Sequence, residues 1–153
     1  MRSTAALMVL SFLGLAANAA SEPPLTLTMS APHAMTVGDK LVVTAVLKNV
    51  SNQIAAIPWG VPYTTVVHRE DGQVPPLKPG YWASGGSRFL VPIEPGKTFT
   101  VNMTLLSRYD LAPGKYIVQI KLPLRDPNYP KDTMIDSNEI TITVLPKRPG
   151  NAK

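Results

Sequence analysis

The feature that most constrains the fold is a period-two alternation of apolar and polar side chains, repeated in five separate runs. Such alternation places one apolar row on a single face of a strand, and the threonines at many polar positions suit the solvated face of a sheet. The sixteen prolines are incompatible with helix interiors, and no stretch sustains a helical apolar period. The runs begin at Leu25, Leu41, Thr98, Tyr116 and Ile140.

Turn-forming residues separate these runs. Asp71-Gly72 divides Tyr63–Arg69 from Gln73-Val74, which predicts a β-hairpin. Pro-Gly pairs at 95–96 and 113–114 each introduce a strong strand. About seven short strands with regular turns predict an all-β, immunoglobulin-like antiparallel β-sandwich.

The N-terminus has the three-part pattern of a secretory signal peptide. Arg2 precedes an apolar run over 5–17, and Ala17-Asn18-Ala19 has small residues at the two positions that signal peptidase reads. We expect cleavage after Ala19, a β-sandwich domain over 20–146 and a basic tail over 147–153. The apolar run is shorter than the ~20 residues of a spanning helix. These features predict a secreted or periplasmic protein with no membrane span after cleavage.

The composition excludes two classes of function. The chain has no cysteine, which excludes thiol catalysis and disulfide exchange. Its net charge of +5 is scattered along the sequence, whereas nucleic-acid binding requires a basic stripe within a known motif. We therefore expect no nucleic-acid partner.

The stretch 49–62 predicts a structural connection rather than an active-site loop. Asn49–Asn52 is expected to end the second strand in a polar turn. The segment 53–58 then crosses to the other sheet or runs along an edge, because Pro58 and Pro62 cannot donate ladder hydrogen bonds. We expect Trp59 to close one end of the core.

A second aromatic residue has a predicted structural role. The spacing Leu111-x-Pro-Gly-x-Tyr116 predicts a tyrosine corner, in which the hydroxyl returns to a backbone group a few residues upstream. This feature specifies the fold and carries no chemistry of its own.

Five turn motifs follow one another along the chain. They are Leu47-x-Asn49-x-Ser51, Ile57-Pro58-Trp59-Gly60-x-Pro62, Asp71-Gly72, Pro95-Gly96-Lys97 and Tyr109-Asp110-Leu111-x-Pro113-Gly114-x-Tyr116. Their order resembles one group of bacterial immunoglobulin-like domains. The chain is similar to the β-sandwich domain that precedes the catalytic domain in some deuterolysin-like, lysine-specific metalloendopeptidases, and more loosely similar to the intracellular proteinase inhibitor (BsuPI-like) domain. The resemblance implies a stand-alone relative of an accessory domain.

No catalytic residue is carried over from that resemblance. The peptidases have a His-Glu-x-x-His zinc helix, but here His33 precedes Ala34 and His68 precedes Arg69. A Gly-x-Ser-x-Gly nucleophile motif is also missing from the sequence. We predict no enzymatic activity, no cofactor and no metal.

The preferred hypothesis is an exported, non-catalytic binding or accessory module with an exported protein or a peptidase as partner. Recognition would run through loops at one sandwich end or through an exposed sheet edge that accepts a strand. Tyr81 and Trp82, in a Gly-rich loop, are the candidate contact, with Arg88 beside them. The alternative is that one or both aromatics close the core.

Two other functions stay open at the sequence level. His33 and Met35 have a His-x-Met spacing that suits Cu(I) in a periplasmic carrier. Further ligands would come from His68, Met103 or Met134, although Met103 lies on a predicted core face. Tyr81 and Trp82 would also suit carbohydrate binding.

Overall fold

The computed structural model describes residues 22–59, 63–79, 89–124, 129–130 and 132–147, with only the backbone of Trp59. Within these ranges the chain forms ten β-strands and no helix, and so no helix that is long and apolar enough to cross a membrane. The strands are β1 (Leu25–Ser30), β2 (Ala34–Thr36), β3 (Leu41–Asn49), β4 (Ala55–Trp59), β5 (Thr64–Arg69), β6 (Phe89–Ile93), β7 (Thr98–Leu105), β8 (Gly114–Pro123), β9 (Met134–Asp136) and β10 (Ile140–Leu145).

The strands form two main sheets and a two-stranded ribbon. One sheet has the order β1-β3-β7, the other has the order β2-β10-β8-β5 with β9 also on β8, and β4 pairs with β6. The ladders are antiparallel except that between β2 and β10. In the immunoglobulin arrangement, β1, β3 and β7 take positions A, B and E, and β5, β8 and β10 take positions C, F and G. The predicted all-β, immunoglobulin-like sandwich is confirmed.

The predicted apolar rows form the core. β1 alternates strictly between buried and exposed residues, and the inward rows of β3 and β8 belong to the same hydrophobic cluster. Tyr116 begins the buried row of β8, and its hydroxyl donates to the carbonyl of Ala112 at 2.8 Å. This four-residue return to the backbone is the geometry of a tyrosine corner.

The predicted hairpin at Asp71-Gly72 is wrong. The turn itself forms, because the amide of Gly72 donates to the carbonyl of Arg69 at 2.9 Å and Gly72 has φ +84°. The residues after it form no strand, and β5 pairs with β8 instead. Pro75 and Pro76 follow directly and cannot donate to a ladder, which prevents a second hairpin strand from growing.

Asn49 joins the main β3–β7 ladder to the β4–β6 ribbon. Its fully buried side chain donates through Nδ2 to the carbonyls of Gln53 and Ile93, both at 2.7 Å. Its Oδ1 accepts from the amide and hydroxyl of Ser51 at 2.9 and 2.8 Å. The polar turn expected after the second strand is therefore organised by one residue.

The backbone of Asn49 closes the opposite side of the same junction. Its amide donates to the carbonyl of Lys97, and its carbonyl accepts from the amide of Gly96, both at 3.0 Å. The chain then continues as β4, which pairs with β6 on one side and has no strand on its other side among the described residues. The segment that was predicted to cross to the other sheet or to run along an edge thus contributes an edge strand of this ribbon.

We expect Asn49→Ala to lower the free energy of unfolding by about 3 kcal/mol, because it leaves buried backbone groups without partners. Urea denaturation measures this as a shift in midpoint at constant m-value. Asn52→Ala, at an exposed neighbour, is the matched control and should stay within about 0.5 kcal/mol of the parent. Equal midpoints for the two variants would contradict the role of Asn49.

Candidate binding edge

The backbone groups of β7 point alternately toward β3 and away from it. In an antiparallel ladder, only every second residue pair exchanges hydrogen bonds. The amide of Asn49 donates to the carbonyl of Lys97, and the same register pairs Leu47 with Phe99. The odd-numbered residues of β7 therefore bond to β3. The outward groups belong to Thr98, Thr100, Asn102 and Thr104.

This outward edge of β7 has no neighbouring strand in the part of the chain that the structure describes. One contact among those residues reaches it, since the hydroxyl of Tyr63 donates to the carbonyl of Thr104 at 3.2 Å. The side chain of Asn102 accepts from the Thr44 hydroxyl at 3.0 Å, but that bond lies across the β3–β7 pair. No group among the described residues accepts a hydrogen bond from the outward amides of the strand.

The outer edge of β1 is sealed by an asparagine. The amide of Met29 donates to Oδ1 of Asn138 at 2.6 Å, and Nδ2 of Asn138 donates to the carbonyl of Met29 at 3.0 Å. The carboxamide thus replaces both groups of a neighbouring strand residue. A partner strand has no access to this position.

The outer edge of β5 is capped by the connection that follows β7. The carbonyl of Thr65 accepts from Arg108 Nη2 at 3.2 Å and from the Tyr109 hydroxyl at 3.3 Å. At the end of the strand, Arg69 bonds through its amide to the carbonyl of Gln73 and through its carbonyl to the amide of Gly72. These contacts occupy two outward carbonyls of β5, those of Thr65 and Arg69.

Prolines protect the β4–β6 ribbon. Pro58 lies opposite Leu90, and Pro92 lies opposite Ala56. A proline cannot donate within a ladder, so these pairs take the non-bonded positions and their backbone groups face outward. Each edge of the ribbon therefore lacks a donor, which is a known defence against strand addition.

β7 has less protection than these edges: among the described residues, its Thr104 carbonyl accepts from Tyr63 at one end of the strand. Its eight residues include no proline and no charged side chain, whereas β2 is protected by being only three residues long. A long, neutral, unpaired edge is uncommon, because it is a template for pairing with another chain. We identify the outward edge of β7 as the candidate binding edge.

The predicted contact residues cannot be compared with this edge. Tyr81, Trp82 and Arg88 lie outside the described residues, as do the predicted signal peptide 1–19 and all of the tail except Lys147. The side chain of Trp59 is also outside them, although its backbone forms the end of β4, opposite Phe89. The roles of these residues stay predictions.

The candidate copper ligands are placed on different elements. His33 is exposed directly before β2, and its carbonyl accepts from the Thr143 amide at 2.9 Å. Met35 is half-buried against the core. His68 lies on β5, three strand spacings away from β2 in the sheet, or about 14 Å. The described residues contain no group of three or more His, Cys, Asp or Glu side chains that suits a metal ion.

The other two predicted ligands are also separated from His33. Met103 is buried in the core on the β1-β3-β7 sheet. Met134 is exposed on β9, which pairs with the end of β8. A thioether on the core face packs as an apolar side chain, so the fold uses Met103 for packing.

Several solved structures are similar to this chain at low sequence identity. Two are the crystal structure, in complex with di-metal ions, and the solution NMR structure of the CARDB domain of a Pyrococcus furiosus protein. Both are 10% identical with a TM-score of 0.46, covering 79% and 80% of this chain and 87% and 94% of the domain.

The third similar structure is a Listeria innocua β-glucosidase in complex with glucose. It is 14% identical with a TM-score of 0.44 and covers 79% of this chain, which spans only 16% of that enzyme. No protein-family model and no curated protein matches the chain. At these identities and TM-scores the likeness assigns no function to this protein.

The hydrogen-bond pattern of β7 predicts alternating amide exchange. The inward amides of Phe99, Val101 and Met103 should be protected, because they bond to β3. The outward amides of Thr100 and Asn102 should exchange roughly a hundred times faster. Residue-resolved hydrogen exchange of residues 20–153 measures this, and uniform protection along β7 would show that its outer edge is covered.

Proposed function

We propose that this protein is an exported, non-catalytic binding module that accepts an extended segment of a partner protein along the outward edge of β7. The observation that supports the proposal is the contrast between the edges of the fold. β1, β5 and the ribbon each have an identifiable protection, whereas among the described residues β7 shows an outward contact at its end alone, from Tyr63 to the Thr104 carbonyl. Main-chain hydrogen bonds to an exposed edge provide the affinity in this mode of recognition.

The two faces of β7 define the chemistry of the partner segment. Thr98, Thr100, Asn102 and Thr104 form an exposed polar row on one face. On the other face Val101 is half-buried and continues inward to buried Met103 and Leu105. A strand added beside β7 shares its pleat. The best partner is therefore a segment that alternates apolar residues with threonine, serine or other neutral polar residues.

The location and class of the partner rest on the sequence. The predicted signal peptide supports export, so the partner is an exported protein. The resemblance to a protease-associated domain and to an inhibitor domain supports a peptidase, although similarity of fold is weak support for function. Copper binding through His33 and Met35, and carbohydrate binding through Tyr81 and Trp82, stay predictions of the sequence.

We expect Thr100→Pro to abolish partner binding, because it removes an outward donor and places a ring on the edge while leaving the β3–β7 bonds intact. Thr100→Val is the matched control, since it retains the amide and should bind like the parent. Residues 20–153 of each variant are immobilised and exposed to envelope and secreted fractions of the source organism. The segment of the captured protein is then titrated as a peptide by calorimetry.

A further variant separates the edge from the predicted aromatic contact. Loss of capture with Tyr81→Ala/Trp82→Ala and retention with Thr100→Pro would place recognition on the loop and contradict the edge. Loss of capture with Thr100→Pro, together with new protection of the Thr100 and Asn102 amides in the parent complex, would support binding along the β7 edge. A peptidase captured in this way is then assayed for inhibition.

A further inference from the structure

A cavity of about 330 Å³ opens at the end of the sandwich where β5 terminates. Its walls come from three connections: the turn after β2, the loop after β5 and the segment before β8. Most of the lining is apolar, and the two charged side chains are Arg69 and Asp110. The apolar lining includes Val37, Pro75, Pro76, Leu111 and Pro113.

Arg69 is held in one orientation beside this cavity. Its guanidinium carbon lies 5.8 Å from the centroid of the Tyr116 ring, and Nε is 3.6 Å from Asp71 Oδ2. Gly114 lets the guanidinium pack close to the backbone, because a Cβ at that position would lie 3.1 Å from Nη2. The guanidinium therefore packs between the ring of Tyr116 and the backbone of Gly114.

The guanidinium has hydrogen-bonding capacity that the fold does not use. Its Nε is buried and has no hydrogen-bond acceptor within reach, and Asp71 lies just beyond that range. Neither terminal nitrogen bonds to a described residue, and neither is buried. The side chain is only 34% exposed. Donors held in this way are favourable for an incoming anion, because their orientation needs no further ordering.

We propose that the cavity binds a carboxylate carried on an apolar group, with the carboxylate forked by the two terminal nitrogens of Arg69. Arginine matches a carboxylate with two parallel charge-assisted bonds, and the proline and leucine walls suit an aliphatic group. The carboxylate belongs either to a small acid or to the C-terminus of a peptide. This site is separate from the β7 edge and does not depend on the function proposed for it.

Asp110 tunes the affinity of this site. Its amide is fixed by a 2.8 Å bond to the carbonyl of Pro76, so the residue belongs to the cavity wall. Its carboxylate makes no ion pair with Arg69 within 4.0 Å and repels a bound anion. The proposal therefore predicts opposite effects for removal of the two charges.

The test is an NMR titration of residues 20–153 with N-acetyl-leucine and with N-acetyl-leucine amide, which differ only in the negative charge. The resonances to follow are the Gly114 amide, the Leu111 amide and the Arg69 Nε–H. We expect the acid to shift all three and to bind at least about tenfold more tightly than the amide. Equal affinity, or no shift with either compound, overturns the proposal.

Two variants and one pair of peptides complete the experiment. Arg69→Gln should abolish the preference for the acid, and Asp110→Asn should strengthen acid binding severalfold. If Arg69→Gln is too unstable for titration, the acid–amide comparison and Asp110→Asn still decide the question, and unchanged acid affinity in Asp110→Asn contradicts the proposal. The peptides end in leucine, one with a free C-terminal carboxylate and one amidated. If the free peptide binds more tightly than N-acetyl-leucine and the amidated peptide does not, the ligand is a peptide C-terminus. Weaker peptide binding identifies a small acid.

Discussion

The six hydrogen bonds around Asn49 hold together the part of the molecule on which the candidate binding edge depends. Its carboxamide bonds to Ser51, Gln53 and Ile93, and its backbone bonds to Gly96 and Lys97. These contacts fix where the β3–β7 ladder ends and where the ribbon begins. They also set the register of β7, and register decides which of its amides face outward. A fully satisfied buried carboxamide specifies one arrangement, because any slip would leave polar groups unpaired.

Polar side chains close some edges of the fold and leave another edge accessible. Asn138 imitates a strand residue and closes the edge of β1, and Arg108 with Tyr109 occupies the carbonyl of Thr65 on β5. Pro58 and Pro92 remove donors from the ribbon. In β7, the threonine and asparagine side chains leave the outward amides of Thr100 and Asn102 without a partner among the described residues. The threonine row suits a solvated face, and its small neutral side chains do not prevent another strand from pairing with β7.

Several elements were predictable because their signal is local. The alternation after Leu25, Leu41 and Thr98 corresponds to β1, β3 and β7, and the Pro-Gly spacing before Tyr116 places the tyrosine corner. The hairpin at Asp71-Gly72 was mispredicted, since the turn signal is local but the choice of β8 as the partner of β5 is not. Arg69 was not predicted as a site residue, because Tyr116 and Gly114 lie far from it in sequence. A charged residue at a strand end was the only available signal.

The sequence by itself determined an all-β chain with a continuous core, because side-chain periodicity and proline content act within a few residues. It also placed the end of the second strand at Asn49, since a polar turn after an apolar run is a local property. Only the tertiary structure decided which strand is an edge, which edge is protected and which side chains surround Arg69. Those properties depend on contacts between segments that are distant in sequence, such as Met29 and Asn138, which lie 109 residues apart. No local pattern encodes them, because edge strands and central strands contain the same types of residue and have the same backbone groups.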